Sequence, residues 1–340
     1  MQTSFTSGSR RPIAGGTMKV MLYAIAASVG LLAIALVLAL VLGSPRTPVP
    51  IKSINNPFKS VDYTGLPPVS RYPARDGSAL AFRHYASGSA PGRGSVVLLH
   101  GSSASSRSMH SIASAFAAAG YAAYALDVRG HGDSGTKGDI GYVGQLENDL
   151  EDFVSAVRPV APVTLVGFSS GGGFALRVAG SSHQRLFANY LLLSPFISQD
   201  APTSRPASGG WVSVGIPRYI AIGILDRSGI RALNHLPVIC YALDDDAKKF
   251  LTPCYSFNLA QNYRPEPDYK ETIRAAAQPM RIIVGSDDEL FYADRFQALF
   301  RDAGKNVEMD MIPGVNHISM ILDPDALRAA VAAVGRLHRL

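Results

Sequence analysis

The hydrophobic positions of this chain follow two different patterns. The stretch from Val20 to Leu42 is apolar and carries no charge, whereas the rest alternates short β-branched runs with segments of helical spacing. Residues 71–86 are typical of a hairpin that turns at Asp76-Gly77. We predict further strands at residues 95–101, 121–130, 163–166, 190–194, 280–285 and 307–312, and helices at residues 108–120, 142–158, 293–304 and from Asp323-Pro324 onward. This alternation predicts an α/β domain with a mainly parallel sheet covered by helices on both faces.

The uncharged stretch at residues 20–42 is long enough to cross the roughly 30 Å hydrocarbon core of a bilayer as a helix. Arg10, Arg11 and Lys19 precede it in the N-terminal tail, residues 1–19. A cleaved signal peptide is the alternative interpretation. Such a peptide normally has an apolar region of only about 7–15 residues and an A-x-A site, and no clean site follows here. We therefore predict an uncleaved transmembrane signal anchor.

The charges on the two sides of this span nearly balance, because Arg46, Lys52 and Lys59 follow it. The free amino terminus favours an N-terminus inside the cell, which predicts a globular domain on the extracytoplasmic, or periplasmic, side. Residues 43–70 are rich in Pro, Ser and Asn and are typical of a linker. The globular domain is then expected over residues 71–340.

One segment interrupts the alternation of strands and helices. Residues 197–275 contain Pro/Ser/Gly turns, an apolar patch at 211–225 and a charged patch at 244–249. The segment is interpreted as an insertion that forms a lid over the strand ends, or as a packed subdomain without a gating role. Both cysteines of the chain, Cys240 and Cys254, fall within it. In an exported domain this pair suggests a disulfide, and the alternative is two separate buried thiols.

Composition excludes some classes of function. The formal net charge is +6, but the basic residues are scattered and form no block dense enough to indicate nucleic-acid binding. The Cys and His spacing matches no zinc motif, so we expect no metal.

A G-x-S-x-G sequence occupies residues 167–171, between the predicted strand at 163–166 and a segment of helical pattern. A serine in a sharp strand-to-helix turn has a strained backbone and needs small neighbours, which the two glycines provide. This context predicts a nucleophile elbow that lifts the hydroxyl of Ser169 above the edge of the sheet.

Three further motifs accompany the elbow in the order found in a known family. They are His100-Gly101-Ser102-Ser103 after a predicted strand, "DVRGHGDSG" at residues 127–135, and a late acid and histidine. Together with "GFSSGG" at 167–172, they make the chain resemble the α/β-hydrolase superfamily over roughly residues 70–338. The resemblance is strongest to the branch of monoacylglycerol lipases, lysophospholipases and S33 serine aminopeptidases. It implies the α/β-hydrolase fold with a lid insertion.

The resemblance and the motif order indicate a catalytic triad. Ser169 is the expected nucleophile, which needs an adjacent base. Of the eight histidines, His317 follows the last predicted strand, where the family places its base. The acid should lie between these two residues at a strand end. The stretch after the predicted strand at 280–285 offers Asp287, Asp288 and Glu289, and the family's usual spacing selects Asp288, with Asp287 as the main alternative.

An oxyanion hole requires backbone N–H groups directed at the developing negative charge. In this fold one comes from the residue after the nucleophile, here Ser170, and the resemblance assigns the other to Ser102. We expect His100 and His131 to hold their loops in place rather than to transfer protons.

These observations together predict a membrane-anchored serine hydrolase that cleaves carboxylic esters through an acyl-enzyme. The membrane span and the apolar insertion favour lipid-like substrates such as monoacylglycerols or lysophospholipids. The mechanism requires no cofactor, and the expected partners are a small-molecule or lipid ester and the membrane. An amidase, peptidase or thioesterase with the same triad, or a non-catalytic tethered binding protein, remains an alternative.

Overall fold

The computed structural model describes residues 14–51, 56–88, 92–206 and 210–339, and within these ranges eleven strands form two sheets. The strands are β1 Val69–Pro73, β2 Ala79–Tyr85, β3 Ser95–Leu99, β4 Ala122–Leu126, β5 Val163–Phe168, β6 Asn189–Leu193, β7 Val212–Val214, β8 Pro237–Tyr241, β9 Cys254–Ser256, β10 Met280–Gly285 and β11 Glu308–Ile312. The large sheet has the order β1-β2-β4-β3-β5-β6-β10-β11. Its first two pairings are antiparallel and the remaining ones are parallel.

Helices cover the sheet because their apolar residues recur on one face. The α-helices are α1 Ala14–Leu42, α2 His110–Ala118, α3 Gln145–Val157, α4 Ser170–Ala179, α5 Ile216–Arg227, α6 Ala247–Phe250, α7 Phe257–Asn262, α8 Tyr269–Ala275, α9 Phe296–Asp302 and α10 Pro324–Leu337. In α3, for example, Leu146, Leu150 and Phe153 are spaced by four and three residues and are all buried. The central strands β3 and β6 are buried along their whole length, as expected for parallel strands covered on both faces.

The predicted α/β-hydrolase fold is confirmed. The hairpin turns at Asp76-Gly77, where Gly77 has a φ of +83° that favours glycine. Asp323 caps α10 by accepting hydrogen bonds from the amides of Asp325 and Ala326. The strand predicted at 121–130 ends at Leu126, because the polar sequence that follows folds into a loop.

The insertion lies between β6 and β10, which are hydrogen-bonded neighbours in the sheet. It contains the antiparallel sheet β7-β8-β9 and helices α5 to α8. The structure records a disulfide between Cys240 and Cys254, which also face each other in the register of β8 and β9. The disulfide therefore links two neighbouring strands of the small sheet inside the insertion.

The N-terminal helix α1 stands apart from the core. Residues Met18–Leu42 have a mean hydropathy of 2.9, and their side chains are almost all exposed. The end of the helix packs on α5 of the insertion, where Nε of Arg218 donates a hydrogen bond of 2.8 Å to the carbonyl of Leu40. Arg10, Arg11 and Lys52, which entered the charge comparison, lie outside the described residues.

The segment after α1 is not a free tether in its described parts. The amide of Ile51 donates a hydrogen bond to Ala242 of the insertion, and Nζ of Lys59 lies 3.1 Å from Oδ2 of Asp244. The composition of residues 43–70 predicts a linker, but the chain uses this segment to cover part of the insertion.

Candidate active site

The G-x-S-x-G sequence forms the turn between β5 and α4. Ser169 has φ +54° and ψ −118°, a backbone conformation that residues other than glycine rarely adopt. A Cβ on Gly167 would lie 2.2 Å from the carbonyl oxygen of Gly171, and one on Gly171 would lie 2.4 Å from that of His100. A side chain at Gly167 would therefore clash within the turn itself, and one at Gly171 would clash with the neighbouring loop of His100.

Ser169, His317 and Asp288 form one hydrogen-bonded row. Nε2 of His317 lies 3.0 Å from Oγ of Ser169, and Nδ1 lies 2.9 Å from Oδ2 of Asp288. A carboxylate only accepts hydrogen bonds, so the proton of the neutral ring is on Nδ1 and Nε2 is free to accept from the serine hydroxyl. All three side chains are buried. They come from the ends of β5, β10 and β11, at the carboxyl edge of the sheet.

The structure distinguishes the two candidate acids. Oδ1 of Asp288 accepts hydrogen bonds of 2.9 Å from the amides of Leu290 and Phe291, which orients the other oxygen toward His317. Burial is the largest single influence and acts to raise the pKa of Asp288, but the interaction with His317 and the hydrogen bonds from Leu290 and Ser194 together outweigh it, so that the pKa is lowered. Asp287 is exposed and accepts from the hydroxyl of Ser286. The geometry therefore places Asp288, not Asp287, beside the imidazole.

The predicted oxyanion donors adjoin Ser169. Ser170 is the first residue of α4, and a Cβ on Gly101, just before Ser102, would lie 3.4 Å from Cβ of Ser169. Within the described residues, the amide N–H groups of Ser102 and Ser170 have no hydrogen-bond acceptor. Both groups are thus available to a ligand at Ser169.

His100 lies beneath the loop that carries Ser102. Nδ1 donates a hydrogen bond of 2.8 Å to the carbonyl of Gly101, and Nε2 accepts from the amide of Val128 at 3.3 Å. Burial lowers the pKa of His100, against the opposing effects of the Gly101 hydrogen bond and the charge of Asp127. The neutral ring fixes the peptide that joins Gly101 to Ser102.

His131, from the "DVRGHGDSG" motif, is completely buried 4.7 Å from His100, measured between ring centroids. Burial and then the proximity of His100 lower the pKa of His131 well below its ordinary value. Nδ1 faces the carbonyls of Val128 and Arg129 at 3.1 and 3.3 Å. In the same motif, the two oxygens of Asp127 accept from the amides of Ser106 and Asp133, so the motif shapes the loops beside the site.

The sequence analysis missed Arg205 and considered Glu289 only as a candidate acid. Nε of Arg205, in the insertion, donates to the carbonyls of Asp288 and Phe291 at 3.1 and 3.2 Å. Oε2 of Glu289 accepts a hydrogen bond of 2.9 Å from the amide of His317. No local pattern reveals these two contacts, because each joins segments distant in sequence.

A cavity of about 250 Å³ opens beside Ser169 and His317. Its walls are mostly apolar and come from the insertion, the loops after β10 and β11, and the segment after α1. The insertion supplies Trp211, Leu243, Phe250 and Leu251, the loops supply Leu290, Ile318 and Ile321, and the segment after α1 supplies Phe58, Lys59 and Tyr63. Within the described residues, no group of three His, Cys, Asp or Glu side chains could hold a metal ion.

A comparison with protein families matches residues 90–325 to serine aminopeptidase, S33. The chain belongs to this family of serine hydrolases. The match includes Ser169, Asp288, His317 and the whole insertion. Comparison with curated proteins gives no sequence match.

Solved structures share the fold of this family member. A soluble variant of monoglyceride lipase from Saccharomyces cerevisiae is 18% identical, with a TM-score of 0.58 covering 80% of this chain and 94% of the lipase. Monoacylglycerol lipase from Paleococcus ferrophilus is 19% identical, with a TM-score of 0.56 covering 76% and 98%. A bacterial membrane phospholipase A is 17% identical, with a TM-score of 0.54 covering 95% and 98%. Because the alignment with the phospholipase covers 95% of this chain, it includes at least part of α1.

The buried histidines make the stability of this hydrolase depend on pH. The pKa values of the buried His100, His131 and His110 are all lowered, with burial as the largest cause. Between pH 6.5 and 5 the unfolded chain therefore binds more protons than the folded protein. We expect the free energy of unfolding to be maximal above about pH 6.5 and to fall below it, by about 1.4 kcal/mol per pH unit for each histidine that stays neutral.

Urea unfolding of the full chain in detergent, repeated across this pH range, measures the effect. The window lies above the region where Asp288 loses its contribution, because an acid with a lowered pKa destabilises the fold only below about pH 4. A free energy of unfolding that is constant from pH 6.5 to 5 would contradict the neutral state of the buried pair.

Proposed function

We propose that this protein is a membrane-anchored serine hydrolase that cleaves carboxylic esters of lipid-like substrates, with Ser169, His317 and Asp288 as its catalytic triad. The observation that carries the proposal is the row of hydrogen bonds from Ser169 through His317 to Asp288, at the bottom of an apolar cavity. Monoacylglycerols and lysophospholipids are the substrate types that we favour.

The geometry supports acyl transfer in two steps. Oγ of Ser169 attacks the acyl carbon while its proton moves to Nε2 of His317, and the tetrahedral oxyanion accepts hydrogen bonds from the amides of Ser102 and Ser170. His317 then donates that proton to the departing alcohol, which leaves the acyl group on Ser169. Water attacks the acyl-enzyme, gives a proton to His317, and releases the acid and the serine hydroxyl. Asp288 keeps the imidazole oriented and stabilises its protonated form, and no cofactor is required.

The charges in the cavity favour esters over peptides with a free amino terminus. Binding of an α-ammonium group calls for a carboxylate without another partner, and the cavity contains two carboxylates. Asp244 is paired with Lys59 at 3.1 Å, and Asp246 is paired with Lys249 at 2.8 Å. The names of the similar structures, which include lipases and a phospholipase, support the same preference.

The walls of the cavity support a lipid-like acyl group. Phe58 and Tyr63, which follow the N-terminal helix, line the same cavity as Ser169. The guanidinium carbon of Arg107 lies 3.8 Å from the centroid of the Tyr63 ring and holds that ring in place. Apolar contact with an alkyl chain would thus involve the segment nearest the proposed membrane anchor.

The outer surface of the insertion supports the membrane anchor. Helix α5 contacts the end of α1 and exposes Ile216, Ile220 and Ile224, which are spaced by four residues and share one face. These side chains are more than 40% exposed, as are most of the large apolar side chains of α1. We propose that α1 crosses the bilayer and that α5 lies against the bilayer surface.

The disulfide supports an extracytoplasmic position of the catalytic domain. Disulfides persist in oxidising compartments, whereas cytosolic thiols are kept reduced. Cys240 and Cys254 are bonded in the structure, and no free cysteine occurs in the described residues. The disulfide therefore favours the orientation with the N-terminus inside the cell.

The triad predicts the kinetic effect of three substitutions. Ser169→Ala and Asp288→Asn should each lower kcat for p-nitrophenyl butyrate by about 10⁴-fold, since the nucleophile is lost in one and the imidazole loses its orienting partner in the other. Asp287→Asn is the matched control and should keep most of its activity, because Asp287 does not contact His317. Greater loss in Asp287→Asn than in Asp288→Asn would move the acid by one residue, and turnover by a folded Ser169→Ala variant would refute the mechanism.

The composition of the cavity walls predicts a preference for long acyl chains that depends on Phe58. Phe58→Ala should lower kcat/KM for p-nitrophenyl laurate by about tenfold through lost apolar contact, and should change the value for the butyrate ester much less. Val49→Ala is the control, since Val49 lies in the same segment but is 83% exposed and does not line the cavity. Equal losses for both esters would argue against an acyl site at Phe58.

The proposed topology predicts the state of the cysteines in cells. Alkylation of the unfolded, unreduced protein should leave Cys240 and Cys254 unmodified by mass spectrometry, and prior reduction should expose both. The protein should stay in the membrane after a carbonate wash, and protease added to spheroplasts of an expressing bacterium should digest its catalytic domain. Full alkylation without reductant, together with protection from protease, would place the domain in the cytoplasm.

A further inference from the structure

The hydrogen bonds of Ser103 connect the insertion to the loop that carries Ser102. Ser103 is completely buried and has a φ of +68°, which is unfavourable for a residue other than glycine. Its hydroxyl donates to the carbonyl of Thr252 at 2.5 Å, and its carbonyl accepts from the amide of Thr252 at 2.8 Å. Its amide donates to the hydroxyl of Tyr255 at 2.6 Å. Every polar group of Ser103 therefore has its partner in the insertion.

The hydroxyl of Tyr255 also meets His131, with Oη 2.6 Å from Nε2. Because Nδ1 of His131 faces two carbonyl oxygens, which only accept, Nδ1 carries the proton of the neutral ring and Nε2 accepts. The hydroxyl of Tyr255 must then donate to His131, which leaves its lone pairs for the amide of Ser103 and for the hydroxyl of Tyr241. The backbone carbonyls around His131 thus determine which group donates in each of the hydrogen bonds that join His131, Tyr255 and Ser103.

The hydrogen bonds from His131 through Tyr255 to Ser103 fix one of the two peptides that flank Ser102. The peptide before Ser102 is held by His100, through the carbonyl of Gly101. The peptide after Ser102 carries the amide of Ser103 and is held by Tyr255. An N–H group stabilises an oxyanion only when its direction is set before the reaction. His100 therefore holds the peptide before Ser102 directly, and His131 holds the peptide after Ser102 through Tyr255.

We propose that Tyr255 and His131 are positioning residues for the oxyanion hole, so that the insertion takes part in the chemical step as well as covering the site. The inference rests on the proposed function of Ser169 and Ser102. Tyr255 belongs to β9, next to Cys254, and β9 is joined to β8 by the disulfide and by the register Ile239↔Tyr255. The crosslinked sheet of the insertion thereby acts as the support of the oxyanion loop.

The substitution Tyr255→Phe tests this proposal in the full chain in detergent micelles. It removes the acceptor of the Ser103 amide and keeps the aromatic ring, which is 2% exposed. We expect kcat for p-nitrophenyl butyrate, per site titrated with a fluorophosphonate, to fall by about 10–100-fold with a nearly constant KM. The inhibition constant of an alkyl trifluoromethyl ketone, whose adduct places an oxyanion in the same position, should rise by a similar factor.

Two further variants separate positioning from general stability. Tyr219→Phe, the matched control, removes another hydroxyl of the insertion, one that donates to Gln261 at 2.9 Å, and should leave both constants unchanged. His131→Ala should reproduce the Tyr255→Phe pattern to a smaller extent, because Tyr255 then loses its acceptor.

The outcomes are distinguishable. A Tyr255→Phe variant with fewer titratable sites but unchanged kcat per site and unchanged ketone affinity would overturn the inference and leave the proposed function intact. A wild-type protein that neither hydrolyses the ester nor reacts with the fluorophosphonate would overturn the proposed function and the inference with it.

Discussion

The backbone conformation of Ser169 is the constraint on which the rest of the site depends. The chain passes from β5 to α4 at this one residue, in a conformation that costs on the order of 1–3 kcal/mol. The surrounding structure compensates for this strain, since the amide of Ser169 donates to Leu193 and its carbonyl accepts from Phe196 and Gly173. The close approach of Gly171 to His100 ties the same turn to the loop of Ser102. The strained serine and its neighbouring loop are therefore one packed unit.

The insertion forms hydrogen bonds to the loops on either side of this packed unit. Thr252 and Tyr255 bind Ser103, and Arg205 binds the carbonyls of the loop that carries Asp288. The loops at two sides of Ser169 are thus bonded to the same insertion. These contacts account for the close packing of the insertion on the main domain, and a disulfide crosslinks the insertion itself. Movement of the whole insertion would disturb both loops.

The sequence predicted the parts of the protein that depend on local pattern. The β-α alternation, the hairpin at Asp76-Gly77, the cap at Asp323 and the elbow around Ser169 all follow from the spacing of neighbouring residues. Motif order also selected His317, and the usual spacing of the resembled family selected Asp288; the structure brings both side chains together with Ser169. Tyr255, Arg205 and Phe58 were not predicted, because their roles arise from contacts across many residues of sequence and no short pattern marks them. The composition of residues 43–70 was misleading in part, since Pro and Ser describe a segment without regular secondary structure but do not exclude packing.

The central claim is that Ser169, activated by His317, is the nucleophile of this hydrolase. Labelling of the full-length protein with a fluorophosphonate, followed by peptide mass spectrometry, tests it most directly. We predict one phosphonyl group per chain, attached to Ser169, with a labelling rate that falls steeply when His317 is replaced by alanine. Labelling of a neighbouring serine such as Ser103 or Ser170, or a folded protein that does not react, would contradict the account.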